Sequence, residues 1–189
     1  MRLFAAVICT CLGVAAAAAP LPPPEQAFAK LERKVHDSLT GKREGIAKAV
    51  GAAFDFDELA RRSLGDAWDA QSKADRERFA ALLRDVITLS YLPKVQKTPD
   101  YGIAIKSTDK AGDEATVHTV ASAKDASIPL DFKLTSKGGR WAIFDTVIDG
   151  VGLVETYNEQ FSRALAKNGM AGLLKSLEAR KAQLESTAK

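Results

Sequence analysis

Apolar residues at steps of three and four predict helices in the first half of the chain. The first helix is expected to begin at Glu25 and to end at Gly41, where its apolar stripe stops. The residues of this stripe are Phe28, Leu31, Val35 and Leu39. A second helical region follows over about 43–69, and it divides at Asp55 or Asp57, since either aspartate can cap a new helix.

A capping box predicts the start of a third helix. Ser72 and Asp75 stand at the spacing at which the two residues can satisfy free N–H groups of the first turn. Pro93 interrupts the helical pattern, so we expect this helix to end at about Leu92. Its apolar positions are Phe79, Leu82, Leu83, Val86 and Ile87.

After Asp100 the helical steps give way to alternation of apolar and polar residues, which predicts strands. A turn segment, 108–113, closes the first of them. Four strands are expected in all, at about 101–107, 115–121, 128–134 and 140–148. Because short turns join them, the strands should form an antiparallel meander, since parallel neighbours need long crossovers.

The turn between the third and fourth strands decides which residues face inward. If 137–139 forms a three-residue hairpin with a left-handed glycine, Phe132 lies opposite Phe144, and we favour this arrangement. A two-residue loop would instead turn Ile143 inward. The facing of Trp141 and Ile143 therefore stays open at this point.

Two helices are predicted after the fourth strand, over about 151–167 and 170–187, with a break at Asn168-Gly169. Asp149 precedes Gly150, and we interpret it as the turn residue and N-cap of the first of these helices. The apolar face of that helix consists of Leu153, Val154, Tyr157 and Phe161.

The N-terminus has the layout of a secretory signal peptide. A single positive charge at Arg2 precedes an apolar run and five alanines, so we expect cleavage before Ala19 and a signal peptide over 1–18. A Pro-rich lead-in would then span 19–24, followed by a single domain over 25–189. The alternative is an uncleaved anchor, since the apolar run is just within the range that spans a bilayer.

Composition narrows the functional classes. Both cysteines, Cys9 and Cys11, lie in the predicted signal peptide, so the mature chain would carry no disulfide and no thiolate chemistry. The net charge of +3 comes from interspersed acids and bases, whereas nucleic-acid binding needs a clustered positive face. We therefore expect an exported domain without nucleic acid as a partner.

The sequence offers little that resembles a catalytic or metal site. His36 and His118 are far apart, and no motif for zinc, nucleotide or serine-nucleophile chemistry is present. Asp145 or His118 near an apolar pocket is conceivable as a general base. We predict no catalytic residue, no metal and no cofactor.

The C-terminal segment resembles the MlaC, or toluene-tolerance, family of periplasmic phospholipid carriers. The matching residues are Trp141, Phe144-Asp145, Asp149-Gly150-Val151, Leu153-Val154, Tyr157 and Gln160-Phe161. The segment 54–92 is also similar to the phenylalanine-led region of that family. The chain departs from the pattern at Gly152, where a serine is usual, and at Thr156 and Asn158, which replace Asn and Arg.

This resemblance implies an α+β, NTF2-like fold in which an antiparallel four-stranded curved sheet and several helices enclose an apolar pocket. It implies a periplasmic carrier, the substrate-binding component of an ABC-type lipid transport system that maintains outer-membrane lipid asymmetry. Phospholipid would pass between an outer-membrane lipoprotein-porin complex and an inner-membrane MCE-domain ABC transporter complex. The resemblance also allows hopanoids or other hydrophobic cargo. We expect a monomer.

We predict that the cargo contacts inward residues of the sheet, of the third helix and of the segment after the last turn, and that about half of them touch it. These residues are Leu83, Ile87, Tyr91, Tyr101, Ile103, Ile105, Val117, Leu130, Phe132, Phe144, Val151, Val154 and Tyr157. Two alternatives remain. An NTF2-like enzyme would need Asp145 or His118 to converge with a tyrosine in one pocket. A structural envelope protein would have a closed, well-packed interior.

Overall fold

The structure is a computed structural model that describes residues 21–98, 100–124 and 126–187. The predicted signal peptide, with both cysteines, and the first two residues of the Pro-rich lead-in lie outside the described residues. In the described part of the chain, helices and one antiparallel sheet form an α+β fold, with the strands side by side in chain order. No helix among these residues combines the length and the hydrophobicity that crossing a membrane requires.

The sheet has five strands rather than the four predicted. They are β1 Gly102–Ala111, β2 Glu114–Ala123, β3 Ala126–Lys137, β4 Arg140–Ile148 and β5 Val151–Gly152. Strand β1 continues to Ala111, so the predicted turn over 108–113 is wrong, and a two-residue turn at Gly112-Asp113 joins it to β2. The additional strand, β5, is too short to show alternation, which is why the pattern did not reveal it.

The turn between β3 and β4 corrects the favoured pairing. Gly138 and Gly139 both have positive φ, 59° and 76°, as a two-residue hairpin turn of type I′ requires. This turn, together with a register shift between Lys133 and Leu134, places Phe132 opposite Thr146 and not opposite Phe144. Ile143 pairs with Leu134 and is buried with it, so the alternative two-residue register is the one observed.

The helices are α1 Pro24–Ser38, α2 Arg43–Ala53, α3 Phe56–Leu64, α4 Lys73–Gln96 and α5 Leu153–Thr187. Asp55, rather than Asp57, caps α3 by accepting the N–H of Glu58 at 3.0 Å. The predicted capping box is confirmed, because the N–H of Asp75 donates to Ser72 Oγ at 3.1 Å. A break in α5 at Gly169, with φ 62° and ψ −175°, confirms the predicted division of the C-terminal helices.

Two predicted helix ends are wrong. Helix α1 ends at Ser38, three residues before Gly41. Helix α4 continues through Pro93 to Gln96, although proline removes one backbone donor from a helix. Val95, in this last turn, packs against the small cluster of Leu39 and Ile46, so tertiary contacts outweigh the cost of the proline.

Two apolar clusters stabilise the fold from opposite sides. The helical cluster consists of residues from α3, α4 and α5, among them Leu59, Phe79, Leu83, Phe161 and Leu174. The sheet cluster packs α1 against the strands and includes Phe28, Val117, Leu134, Trp141 and Ile143. Phe54 contacts both clusters, so the segment between α2 and α3 joins the two packed layers.

The side chain of Asp145, not that of Asp149, caps α5. Asp145 Oδ1 accepts the N–H of Val154 at 3.0 Å and that of Thr146 at 2.9 Å, and Lys133 Nζ lies 3.3 Å from Oδ2. Asp149 lies in the turn before β5 with φ 49°, so its predicted role as a turn residue holds and its predicted role as the cap is wrong. The short strand β5 displaces the helix start beyond the reach of Asp149.

We predict that Asp145→Ala lowers the free energy of unfolding by about 2 kcal/mol, because it leaves two partly buried N–H groups and a lysine without their acceptor. Asp145→Asn retains Oδ1 and should cost about half as much. Urea denaturation of both variants checks this. A cost for Asp145→Ala no larger than that for Asp145→Asn would contradict the capping role.

Candidate functional site

A cavity of about 490 Å³ lies between the two clusters. Its size falls in the range of roughly 300–1,000 Å³ that is typical of small-molecule sites. Helices α1, α2 and α4 and strands β1 to β4 all contribute to its wall. The main apolar wall residues are Phe28, Leu31, Val35, Leu39, Ile46, Val50, Phe54, Ile87, Val95, Ile103, Ala121, Leu130, Phe132, Ile143 and Ile148.

Polar wall residues gather at one end of the cavity, apart from Thr88, Tyr91 and Thr146, which line it elsewhere. We name this end the polar rim, and it consists of Glu32, Thr98, Tyr101, Ser122 and Ser127. Backbone pairing places these residues close together, with Ser122 opposite both Ser127 and Gly102 and the N–H of Tyr101 donating to the Thr98 carbonyl at 3.3 Å.

The polar rim is also where the cavity meets solvent. Both serines are exposed, and so is the neighbouring wall residue Ile128, whose exposed fraction of 44% is high for a large apolar side chain. An apolar interior that opens at a hydroxyl-rich edge suits an amphipathic molecule with its polar end outward.

A hydrogen bond joins α1 to the chain that enters β1. The hydroxyl of Tyr101 donates to Glu32 Oε1 at 3.1 Å, and the His36 ring packs edge-on against Tyr101 with ring centroids 4.9 Å apart. Burial, together with the charge of Glu32, raises the pKa of Tyr101. Tyr101 therefore stays neutral near pH 7 and acts as a hydrogen-bond donor there.

Six of the thirteen predicted cargo-contact residues lie along the cavity wall: Ile87, Tyr91, Tyr101, Ile103, Leu130 and Phe132. They come from α4, from the chain entering β1 and from strands β1 and β3. The structure brings these side chains to one cavity. Their contact with cargo stays a prediction.

The other seven predicted residues lie away from the wall. Leu83, Val154 and Tyr157 belong to the helical cluster or pack against it, and Val117 belongs to the sheet cluster. Burial raises the pKa of Tyr157 to about 12. These four residues stabilise the layers around the cavity.

The strand geometry places the remaining three residues, Phe144, Ile105 and Val151, away from the cavity wall. Phe144 sits where the β3–β4 register shifts, and the Arg62 guanidinium carbon lies 3.9 Å from its ring centroid. Ile105 on the edge strand and Val151 in β5 are 40% and 61% exposed. The favoured hairpin register had placed Phe144 inward, and the observed register removes the reason for that assignment.

Sequence reasoning missed the contribution of α1 and α2. The four residues of the predicted α1 stripe, Phe28, Leu31, Val35 and Leu39, all line the cavity. The sequence did contain a signal for the contribution of α1, because the charged residue Glu32 stands next to the apolar face of this stripe. Helix α2 gave no comparable signal, because Ile46 and Val50 look like ordinary core positions.

The two candidate bases do not line the cavity. His118 lies between two carboxylates, with Nδ1 3.0 Å from Asp131 and Nε2 3.2 Å from Asp109, and the bond to Asp131 raises its pKa. Asp145 is held under the start of α5. The enzyme alternative required one of them to meet a tyrosine in a pocket, and the geometry does not meet that requirement. Among the described residues, no group of three or more His, Cys, Asp or Glu side chains could hold a metal.

Comparison with known proteins agrees with this architecture. A phospholipid-binding protein from Ralstonia solanacearum, solved in complex with a phospholipid, matches with a TM-score of 0.78 at 20% identity, over 87% of this chain and 99% of that chain. This likeness shows the fold. A search of curated proteins found no match. The sequence matches the model of the MlaC protein family over residues 25–179, which is most of the chain. The resemblance inferred from the C-terminal segment is thereby confirmed, and the chain belongs to the MlaC family.

Proposed function

We propose that this protein is a lipid carrier that buries phospholipid acyl chains in the cavity. The observation that carries the proposal is a cavity of about 490 Å³ whose wall is apolar except for a few residues, most of them at the rim. Family membership supports it, as does the shared fold with a protein that was solved with a phospholipid bound.

Transfer energetics explain why such a cavity is needed. Each methylene removed from water is worth about 0.8 kcal/mol, so exposing one long acyl chain costs on the order of 10 kcal/mol. A carrier must therefore cover the tails along their length. The apolar wall meets this requirement, and the hydroxyl-rich rim leaves the headgroup in contact with water.

The same energetics bear on release. A carrier that binds the tails this strongly releases them slowly on its own, so we propose that exchange occurs at docked partners that favour an open state. In keeping with the family resemblance, these partners are an inner-membrane MCE-domain ABC transporter complex and an outer-membrane lipoprotein-porin complex. We also propose that the fold is NTF2-like, that the protein works in the periplasm, and that it carries lipid without any covalent step.

Lipid content tests the binding proposal. Protein purified from the periplasm without detergent should carry phospholipid in stoichiometric amount, measured by mass spectrometry of the extracted lipid. Ala121→Trp should reduce this amount severalfold, because Ala121 lies on the wall and the indole would occupy space that tails need. Ala104→Trp is the matched control, since Ala104 is exposed on the neighbouring strand and does not line the cavity.

Two outcomes would count against the proposal. A stable wild-type protein that contains no lipid would contradict the carrier function. Equal lipid in Ala121→Trp and Ala104→Trp, with both variants folded, would show that the cavity is not the binding site.

The start of the mature chain tests the proposed periplasmic location. If the chain is exported, intact-mass spectrometry of the periplasmic protein should give the mass of a chain that begins at or near Ala19. Retention of residues 1–18 on protein recovered from the membrane fraction would support an uncleaved anchor instead.

A further inference from the structure

The described part of the cavity wall contains a single acidic residue and no basic one. Among the described residues that line it, Glu32 is the only aspartate, glutamate, lysine or arginine. Lys124, at the tip of the β2–β3 hairpin that carries the two rim serines, is not a wall residue. A carboxylate placed beside an apolar interior costs free energy unless a cation or hydrogen-bond donors compensate its charge.

Contacts within the protein satisfy Glu32 only in part. An ionised carboxylate can accept several hydrogen bonds, and in the described structure Glu32 accepts one, from Tyr101. Its one ion-pair neighbour there is His36, with Nδ1 3.8 Å from Oε1. The side chain is 23% exposed at the rim, so a group held at the cavity mouth can reach it.

We infer that Glu32 selects lipids whose headgroup carries an ammonium group. This inference rests on the proposed function, because it is the tails in the cavity that bring a headgroup to the rim. Three hydroxyl residues, Thr98, Ser122 and Ser127, lie at the same rim and can donate to a phosphate. The carboxylate then accepts from the ammonium group.

The same arrangement disfavours a headgroup that is anionic and has no ammonium group. Phosphatidylglycerol would place its phosphate near a like charge without compensation, whereas phosphatidylethanolamine supplies a compensating cation. Because the rim is partly solvated, the preference should be of moderate size and not absolute.

A purely structural role for Glu32 can be separated from selection. If the carboxylate serves only to hold Tyr101, then glutamine, which still presents an acceptor oxygen, should leave lipid composition unchanged. If its charge selects the headgroup, glutamine should change the composition while the fold is retained. Asp37→Asn is the matched control, because Asp37 is an exposed acid on the same helix and does not line the cavity.

The experiment compares wild type, Glu32→Gln and Asp37→Asn, all purified without detergent from one expression host whose membranes contain both lipids. Mass spectrometry gives the total lipid per protein and the ratio of bound phosphatidylethanolamine to phosphatidylglycerol. We expect this ratio to fall about fivefold in Glu32→Gln and to stay at the wild-type value in Asp37→Asn.

The two readouts distinguish the proposals. Lipid-bearing protein with the same ratio in wild type and Glu32→Gln, at whatever total, would overturn the selection by Glu32 and leave the carrier function intact. An equal fall in Asp37→Asn would also overturn it, since the effect would then follow net charge and not the rim. Wild-type protein without lipid would remove the carrier function and this inference together.

Discussion

A short junction between α2 and α3 ties the helical layer to strand β4, in addition to the cap that Asp145 provides for α5. The N–H of Asp55 donates to the Ile143 carbonyl at 2.7 Å, and Phe54 bridges to the same strand residue. Phe54 contacts both the helical and the sheet cluster, and Asp55 caps α3 immediately afterwards. Phe54 and Ile143, the two residues that bridge here, also line the cavity, so this junction forms one part of the cavity wall.

This architecture separates stability from binding. Many large buried residues, such as Leu59, Phe79 and Leu134, belong to the helical or the sheet cluster and do not line the cavity. Phe28 and Ile143 do both, so the separation is incomplete where the sheet cluster meets the wall. The cap that Asp145 provides for α5 belongs to the stabilising part, and its burial explains why a carboxylate in an apolar strand need not signal catalysis.

Local chemistry made much of the fold predictable. The capping box at Ser72 and the break at Gly169 were correct because a few neighbouring residues decide them. Features set by distant contacts were not predictable in this way. Packing of Val95 extends α4 past Pro93, and the choice between a two- and a three-residue turn decides the inward face of β4. The site residues were likewise only partly predictable. Periodicity showed which residues face inward, but whether an inward residue faces the packed core or the cavity depends on distant contacts.

The central claim is that the interior holds acyl chains, and a crystal structure of the protein purified without detergent tests it most directly. The account predicts continuous, elongated electron density along the wall formed by Phe28, Leu130 and Phe132, ending in a headgroup at the polar rim. An interior filled by the protein's own side chains, with no space for a chain, would contradict it.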